Sequence, residues 1–353
     1  GFAITLIIGI FTSLFSALII SRLIFSYMID RKKEISFSTS ITKNLFLNMK
    51  VPFIKKRKVF YIISGLIIAG GIFSLVTRSL DYGVEFTGGR TYKIKFENEV
   101  NFQDVRESLA ASFGDMPEVK MIDNRYKALI TTQYMLGDKT SEGSAKVETK
   151  LNEGLKDISG YEIIESRQVD SNISAGFKTS SIKAVLISLL IIFLYIVFRF
   201  RKWQFGLGAL LAMFHDVLIV LSLFSIGWGR FPFAMEINEA FIAAILTVVG
   251  YSINDTVVVF DRIREFLTER RKGEPAEVIN EALNSTLSRT VNTSVTTFLV
   301  LLIIFIFGGD SIKGMTFALM VGVVVGTYSS LCIATPSVID LTKSFSFKKK
   351  EIN

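Results

Sequence analysis

The chain has 353 residues, half of them hydrophobic, with a formal net charge of +8 and a mean hydropathy of +0.45. These values exclude an ordinary soluble domain, and the basic residues flank apolar runs, a pattern typical of membrane topology signals rather than of nucleic-acid binding. With one cysteine, Cys332, and one histidine, His215, the chain has no internal disulfide and no histidine-rich metal site. Because Gly1 opens directly onto an apolar run, we expect a longer polypeptide.

Seven apolar segments are long enough to cross a bilayer core of about 30 Å as helices. Clusters of Lys and Arg follow the first, third, fifth and seventh segments, so all four clusters fall on one side, which we assign to the cytoplasm. An acidic segment, 80–180, then lies outside. The apolar segments are 2–28, 59–79, 181–199, 204–227, 239–260, 289–309 and 312–342.

Residues 80–180 have the composition of a small soluble domain. Period-two alternation and helical spacing predict the order β-α-β-β-α-β, which is typical of a ferredoxin-like α+β fold. The fold class is therefore a polytopic α-helical membrane protein with a small ferredoxin-like extracytoplasmic domain. The predicted strands are 91–96, 119–122, 128–134 and 161–169, and the predicted helices are 102–113 and 147–158.

The predicted organisation follows from the spans and their sidedness. The parts are a transmembrane helix at 1–29, a cytoplasmic linker at 30–58, a transmembrane helix at 59–79, the outer domain at 80–180, a five-helix bundle at 181–345 with a cytoplasmic loop at 261–288, and a basic cytoplasmic tail at 346–353. Small residues recur every four positions in the last segment, which predicts close helix packing there. They are Gly314, Ala318, Gly322, Gly326 and Ser330.

Polar residues that could carry protons interrupt the apolar segments at three places. Such residues are costly in lipid and usually face the interior of a bundle. Asp255 and Arg289 are predicted at similar depth on adjacent helices, where a carboxylate and a guanidinium can form a protonation switch. The full candidate set is His215, Asp216, Asn254, Asp255, Arg289, Asn292 and Thr293.

Structural roles for the same residues stay open at this point. Arg289 can extend towards the headgroups, and His215 with Asp216 can be a satisfied packing pair. An intramembrane protease would also use two aspartates, but neither Asp216 nor Asp255 lies in a motif of that class. The sequence has no phosphate loop and no metal-ligand cluster, so we expect no enzyme activity, cofactor or metal.

Four segments carry recognisable motifs: 81–89, which reads DYGVEFTGG, and 214–217, 249–265 and 287–294 in the apolar segments. In this order they resemble the opening of the periplasmic domain and the third, fourth and fifth helices of the SecF family of protein-export membrane proteins. The matches run in order over about 50–345. The opening ten residues resemble the last helix of SecD, which implies the C-terminal part of a fused SecDF polypeptide of the resistance–nodulation–division superfamily.

The resemblance implies a proton-motive-force-driven accessory of the Sec translocon that promotes preprotein translocation and release on the periplasmic side. It implies a multi-pass protein of the bacterial inner (plasma) membrane. It makes Asp255 and Arg289 proton-pathway residues, with support from Asn254, Asn292, Thr293, His215 and Asp216.

The resemblance also implies a set of partners. These are the SecD half, which supplies a further Asp of the pathway, the Sec translocon channel subunits, the YidC insertase, an unfolded preprotein and the lipid bilayer, with no nucleic acid. Two other functions stay open. One is a proton-coupled exporter of the same superfamily, and the other is a membrane scaffold subunit without transport.

Overall fold

The computed structural model describes residues 2–32, 50–115, 117–122, 126–135, 141–169, 171–269 and 274–342. The chain divides into two compact units, Gly1–Lys50 and Val51–Asn353. Within these described ranges, seven helical stretches have the length and apolar composition of membrane spans, which confirms the predicted multi-pass helical fold. They are Ile7–Asp30, Arg57–Arg78, Ser174–Phe200, Trp203–Gly227, Glu239–Glu269, Pro275–Phe307 and Ile312–Leu341.

The first unit is one long helical rod. It consists of α1 (Phe2–Phe15), a π-helical turn (Ser16–Ile20) and α2 (Ser21–Asp30). Its described side chains are almost all exposed, since nothing within the unit covers them. Most of the predicted linker, 33–49, lies outside the described residues, as does the predicted basic tail.

The second unit begins with a short segment that packs on the bundle. Phe53 and Ile54 are buried, and the Val51 N–H donates to Asn284 Oδ1 at 2.7 Å. The end of the predicted linker is thus fixed to the bundle immediately before α3 (Arg57–Arg78).

A four-stranded antiparallel sheet with two helices forms the α+β domain, which confirms the ferredoxin-like prediction. The strand order is β2-β3-β1-β4, and α5 and α6 supply apolar side chains to a core around Tyr92, Ile94 and Ile130. The elements are β1 (Gly89–Phe96), α5 (Phe102–Phe113), β2 (Glu118–Ile122), β3 (Lys127–Thr132), α6 (Ser141–Leu155) and β4 (Tyr161–Val169). The predicted turn at 123–124 lies outside the described residues.

A short helix, α4 (Val84–Thr87), precedes the sheet and was not predicted. Gly88 and Gly89, which follow it, have φ angles of +72° and +131°, a region that favours glycine. A Cβ on Gly89 would lie 2.9 Å from the Thr132 carbonyl oxygen. The glycine pair therefore lets the chain turn from α4 into β1 against the end of β3.

The bundle helices continue beyond the apolar segments that predict them. α9 extends to Glu269 and α10 begins at Pro275, so the segment 261–288, predicted as a loop, is largely helical. Proline in the first turn of α10 and charged residues on a solvated helix face favour these extensions. Such residues form no apolar run, so the apolar segments did not predict this part of the helices. The helices are α7 (Ser171–Phe200), α8 (Trp203–Gly227), α9 (Glu239–Glu269), α10 (Pro275–Phe307), α11 (Asp310–Ser329) and, after a π-helical turn (Ser330–Ala334), α12 (Thr335–Leu341).

Glycines let the bundle helices approach closely. A Cβ on Gly322 of α11 would overlap the Val248 side chain of α9, and one on Gly326 would lie 3.2 Å from Ser252 Cβ. The close packing predicted for this stripe is present at both positions. It brings the hydroxyl-bearing faces of α9 and α11 together around α8.

Candidate functional site

One polar cluster, the Asp216 cluster, lies in the centre of the bundle. Asp216 of α8 is fully buried, and its Oδ2 accepts hydrogen bonds from Ser252 of α9 at 2.6 Å and from Ser329 of α11 at 2.8 Å. Its Oδ1 lies 2.9 Å from His215 Nδ1. Both carboxylate oxygens therefore have partners, supplied by three helices.

The cluster continues through His215 to α3. His215 Nε2 is 3.0 Å from Ser64 Oγ, and Ser64 Oγ is 3.1 Å from Tyr328 Oη. The Tyr328 hydroxyl also donates to the Phe60 carbonyl at 3.1 Å. An unbroken series of hydrogen bonds thus connects α3, α8, α9 and α11.

A second acidic residue, Asp255 of α9, is buried but less well satisfied. It is 4% exposed, and its Oδ2 has no hydrogen-bond partner among the residues that the structure describes. The Arg289 guanidinium and the Ser294 hydroxyl, both on α10, act on this carboxylate. Within the described part of the chain, no ion pair of 4.0 Å or less joins Asp255 to Arg289.

Arg289 itself is exposed and lines a cleft of about 910 Å³ at the end of the bundle opposite the α+β domain. Carboxylates on α9 share this cleft. Asp261 pairs with Arg199 at 3.1 Å and with Arg264 at 3.2 Å. An arginine at this position has access both to a buried carboxylate and to a solvated, charged surface.

The other predicted site residues divide into two groups. His215 and Asp216 contact each other, as described, whereas Asn254 and Asn292 are exposed and the Thr293 hydroxyl donates to the Arg289 carbonyl of its own helix at 2.9 Å. Among the described contacts, none joins these last three residues to Asp255.

Sequence reasoning missed the hydroxyl groups that complete the Asp216 cluster. Ser252 lies inside the predicted polar interruption, so its position in the sequence was a usable signal. Ser64, Tyr328 and Ser329 gave none, because isolated hydroxyl residues are common in apolar helices and usually bond to their own backbone.

An ion cluster, the Lys120 cluster, joins the α+β domain to the bundle. Lys120 Nζ on β2 lies 2.5 Å from Asp81 Oδ1 and 2.9 Å from Glu236 Oε1. Burial raises the pKa of Asp81 to about 6, although Lys120 opposes this. The pKa of Lys120 is raised, because Glu236, Asp81 and Glu118 together outweigh the lowering effect of burial.

Backbone hydrogen bonds reinforce the same junction. Tyr82 and Ile237 form a parallel β-bridge, in which the Ile237 N–H donates to the Asp81 carbonyl at 2.7 Å and the Gly83 N–H donates to the Ile237 carbonyl at 3.0 Å. No signal in the sequence connects these loops, which lie far apart in the chain. No group of acidic, cysteine and histidine residues suited to a metal occurs in the described ranges.

Two family models match the chain. The model for the C-terminal part of the protein export membrane proteins SecD and SecF covers 148–344, which is more than half of the 353 residues, and the SecD/SecF GG motif covers 73–100. The chain belongs to the SecD/SecF family. The resemblance at 81–89 and in the bundle is thereby confirmed.

Relatives of two lengths align with this SecF-like chain. The protein translocase subunit SecF of Rhodothermus marinus is 43% identical over 301 residues, covering 84% of this chain and 95% of the relative. The protein translocase subunit SecDF of Brucella abortus is 34% identical over 353 residues, covering 99% of this chain and 44% of the relative. The chain thus spans nearly all of a separate SecF subunit and under half of a fused SecDF.

The solved structures agree with this assignment. The crystal structure of SecDF from Thermus thermophilus, titled a translocon-associated membrane protein, is 31% identical, with a TM-score of 0.83 over 97% of this chain and 44% of that chain. SecDF in a super-membrane-facing form is 29% identical, with a TM-score of 0.67. The chain is therefore a multi-pass membrane protein with the SecF fold.

Proposed function

We propose that this chain is the SecF part of an accessory of the Sec translocon, which uses the proton motive force to promote preprotein translocation and release on the periplasmic side. Family membership supports the role in protein export. The observation that carries the proton-driven part is Asp255, a buried carboxylate in a membrane span with one oxygen unpartnered among the described residues and an arginine acting on it from the next helix.

The proposed switch follows from charge. When Asp255 is ionised, it attracts Arg289 towards the interior of the bundle. When Asp255 takes up a proton, that attraction is lost, and the guanidinium turns to Asp261 and Glu265 in the cleft. The packing of α9 against α10 changes with each cycle, and the proton leaves to water in the cleft.

The exposed polar residues of α9 and α10 support a protein partner. Asn254, Asn292 and Arg289 are exposed in this chain, and such groups are costly against lipid. We propose that the SecD half of the same polypeptide covers them, as the fused relatives suggest. The α+β domain then lies outside the inner membrane near the preprotein, and the translocon channel subunits and the YidC insertase are further partners.

The proposed work involves no covalent chemistry and no cofactor. Proton movement changes helix packing, and the α+β domain follows through its junction with the bundle. A scaffold subunit without transport is the competing function, and it makes the opposite prediction for Asp255.

Asp255→Asn, introduced into the full SecDF polypeptide, tests the proposal. Asparagine keeps the shape but cannot be protonated and deprotonated, so we expect normal abundance and loss of gradient-dependent export of a secreted reporter. Export should be measured in membrane vesicles with and without a proton gradient. Arg289→Lys should recover little, because lysine lacks the planar guanidinium.

Glu277→Gln is the matched control, since it removes a carboxylate from the exposed first turn of α10, outside the cleft that Arg289 lines. We expect it to keep gradient-dependent export. An Asp255→Asn protein that is present at normal level and still responds to the gradient would support the scaffold function instead.

A further inference from the structure

The hydrogen-bond series around His215 has a direction that can be followed atom by atom. The Phe60 carbonyl can only accept a hydrogen bond, so the Tyr328 hydroxyl donates its one hydrogen to that oxygen. Tyr328 Oη then accepts from Ser64, and Ser64 Oγ accepts from the imidazole. His215 therefore carries a hydrogen on Nε2 in this arrangement.

A second hydrogen lies between His215 and Asp216. Nδ1 and Oδ1 are 2.9 Å apart, and without a hydrogen between them a ring lone pair would face a carboxylate oxygen. Ser252 and Ser329 donate to the other oxygen, Oδ2. The pair thus holds two hydrogens and has no net charge, whichever of the two residues carries the shared one.

The same atomic positions allow the series to run in the opposite direction. Tyr328 then donates to Ser64, Ser64 donates to His215 Nε2, and Nδ1–H donates to the Asp216 carboxylate. The pair now holds one hydrogen and a charge of −1, which Ser252 and Ser329 continue to stabilise. The Phe60 carbonyl has lost its hydrogen bond from Tyr328, and the two directions differ by one proton.

We propose that His215 and Asp216, with Ser64 and Tyr328, form a second proton-binding site in the bundle. Release of one proton to water reverses the hydrogen-bond series and frees the α3 backbone from α11. Proton occupancy thereby controls a contact between two helices that do not carry Asp255 or Arg289. This inference rests on the proposed function for its coupling to export, whereas proton binding is a separate, measurable property.

The surroundings leave few other groups to titrate in its place. Among the described residues of the bundle, His215 is the ionisable side chain that interacts with Asp216. The other interacting groups are the hydroxyls of Ser252 on α9 and Ser329 on α11. The His215 ring lies 5.8 Å from that of Tyr328, and the buried Cys332 thiol is beside Tyr328. Asp255 lies one helical turn from Ser252 on α9.

His215 is the single histidine of the chain, so ¹⁵N-histidine labelling reports this site alone. The full chain, purified through a histidine-free tag into lipid nanodiscs, should be followed by ¹⁵N NMR from pH 5 to pH 9. We expect a protonated Nε2 at the acid end and a bare Nε2 with Nδ1–H at the alkaline end. An imidazole that keeps one tautomer over the whole range overturns the proposal.

Tyr328→Phe sharpens the test, because it removes two hydrogen bonds from the protonated arrangement and one from the deprotonated arrangement. We expect the midpoint to fall by about one pH unit, the effect of one net hydrogen bond. Tyr61→Phe is the matched control, since the Tyr61 hydroxyl bonds to Asp340 at 3.0 Å, outside the series. Equal midpoints in the two variants would refute the assignment.

Asp255→Asn separates this inference from the proposed function. We expect that variant to keep the tautomer change of His215 while it loses gradient-dependent export. Retained export together with an intact tautomer change would contradict the proposed function alone. Lost export with an imidazole that no longer titrates would show that the two sites are one, and would contradict the independence of the second site.

Discussion

Two buried carboxylates on neighbouring helices have opposite surroundings. Asp216 has partners at both oxygens, from α8, α9 and α11, whereas Asp255 has an oxygen with no partner among the described residues and lies near a charged cleft. A carboxylate with partners at both oxygens can gain or lose a proton only together with a change in those hydrogen bonds. A carboxylate with a missing partner responds directly to any charge or proton that approaches it, so the two sites differ in how many neighbouring groups must rearrange with the proton.

Removing the Asp216 side chain should give the largest effect. Asp216→Ala leaves Ser252, Ser329 and His215 without their shared acceptor, and we expect a loss of about 3–5 kcal/mol in the free energy of unfolding. Asp255→Ala should change it by less than about 1 kcal/mol, since it removes a poorly partnered group. Unfolding of the purified proteins in detergent measures both, and equal losses would remove the distinction between the two sites.

The Lys120 cluster extends the comparison to a carboxylate outside the membrane spans. The pKa of Asp81 in the folded protein, about 6, lies above its ordinary value of 3.8, so the folded junction binds a proton more tightly than the separated one. The junction should therefore be strongest below about pH 4 and should weaken as pH rises through 6, by about 2–3 kcal/mol in total.

Hydrogen-exchange protection of the Gly83 and Ile237 amides, corrected for intrinsic rates, measures this dependence. Asp81→Asn should abolish it. Asp104→Asn, on the exposed surface of α5, should leave it unchanged. Protection that rises with pH in the unsubstituted protein would contradict the sign of the effect.

The smallest effect is expected at the α9–α11 contact that positions Ser252 and Ser329. Gly322→Ala places a methyl group against Val248, and overpacking of this kind should cost about 1 kcal/mol or somewhat more. Gly250→Ala, on α9 where a methyl group meets open space, should be neutral or slightly stabilising. Tautomer measurements on His215 should change in Gly322→Ala and not in Gly250→Ala. If Gly322→Ala causes no change, the α9–α11 packing does not position the Asp216 cluster.

Much of this architecture could be predicted because it depends on local periodicity. Helical spacing predicted α5 at Phe102–Phe113, with the bounds that the structure has, and alternation predicted a strand at 91–96, within the observed β1 at Gly89–Phe96. The helical extensions around 261–288 could not be predicted from apolar runs, because their solvated faces contain none. The four-residue α4 is too short to show any period.

The candidate site was predictable only in part, for a related reason. Asp255 and Arg289 are conspicuous in spans because charge is rare there. Besides His215, the partners of Asp216 are serines, which are common in apolar helices and therefore give no signal. Ser329 lies 113 positions from Asp216, and Ser64 lies 151 positions from His215, so only the packed bundle brings them together.

The parallel bridge between Tyr82 and Ile237 makes the junction stiff in a mechanical sense. Ile237 leads directly into α9, and its two backbone hydrogen bonds pull on the stretch that feeds β1. Because β1 lies between β3 and β4 and is hydrogen-bonded to both, a force applied to β1 is distributed over the sheet. It is not absorbed by a flexible linker. A displacement of the first turn of α9 would therefore be transmitted through Ile237 and β1 to β4, at the edge of the sheet, and the α+β domain would move with it.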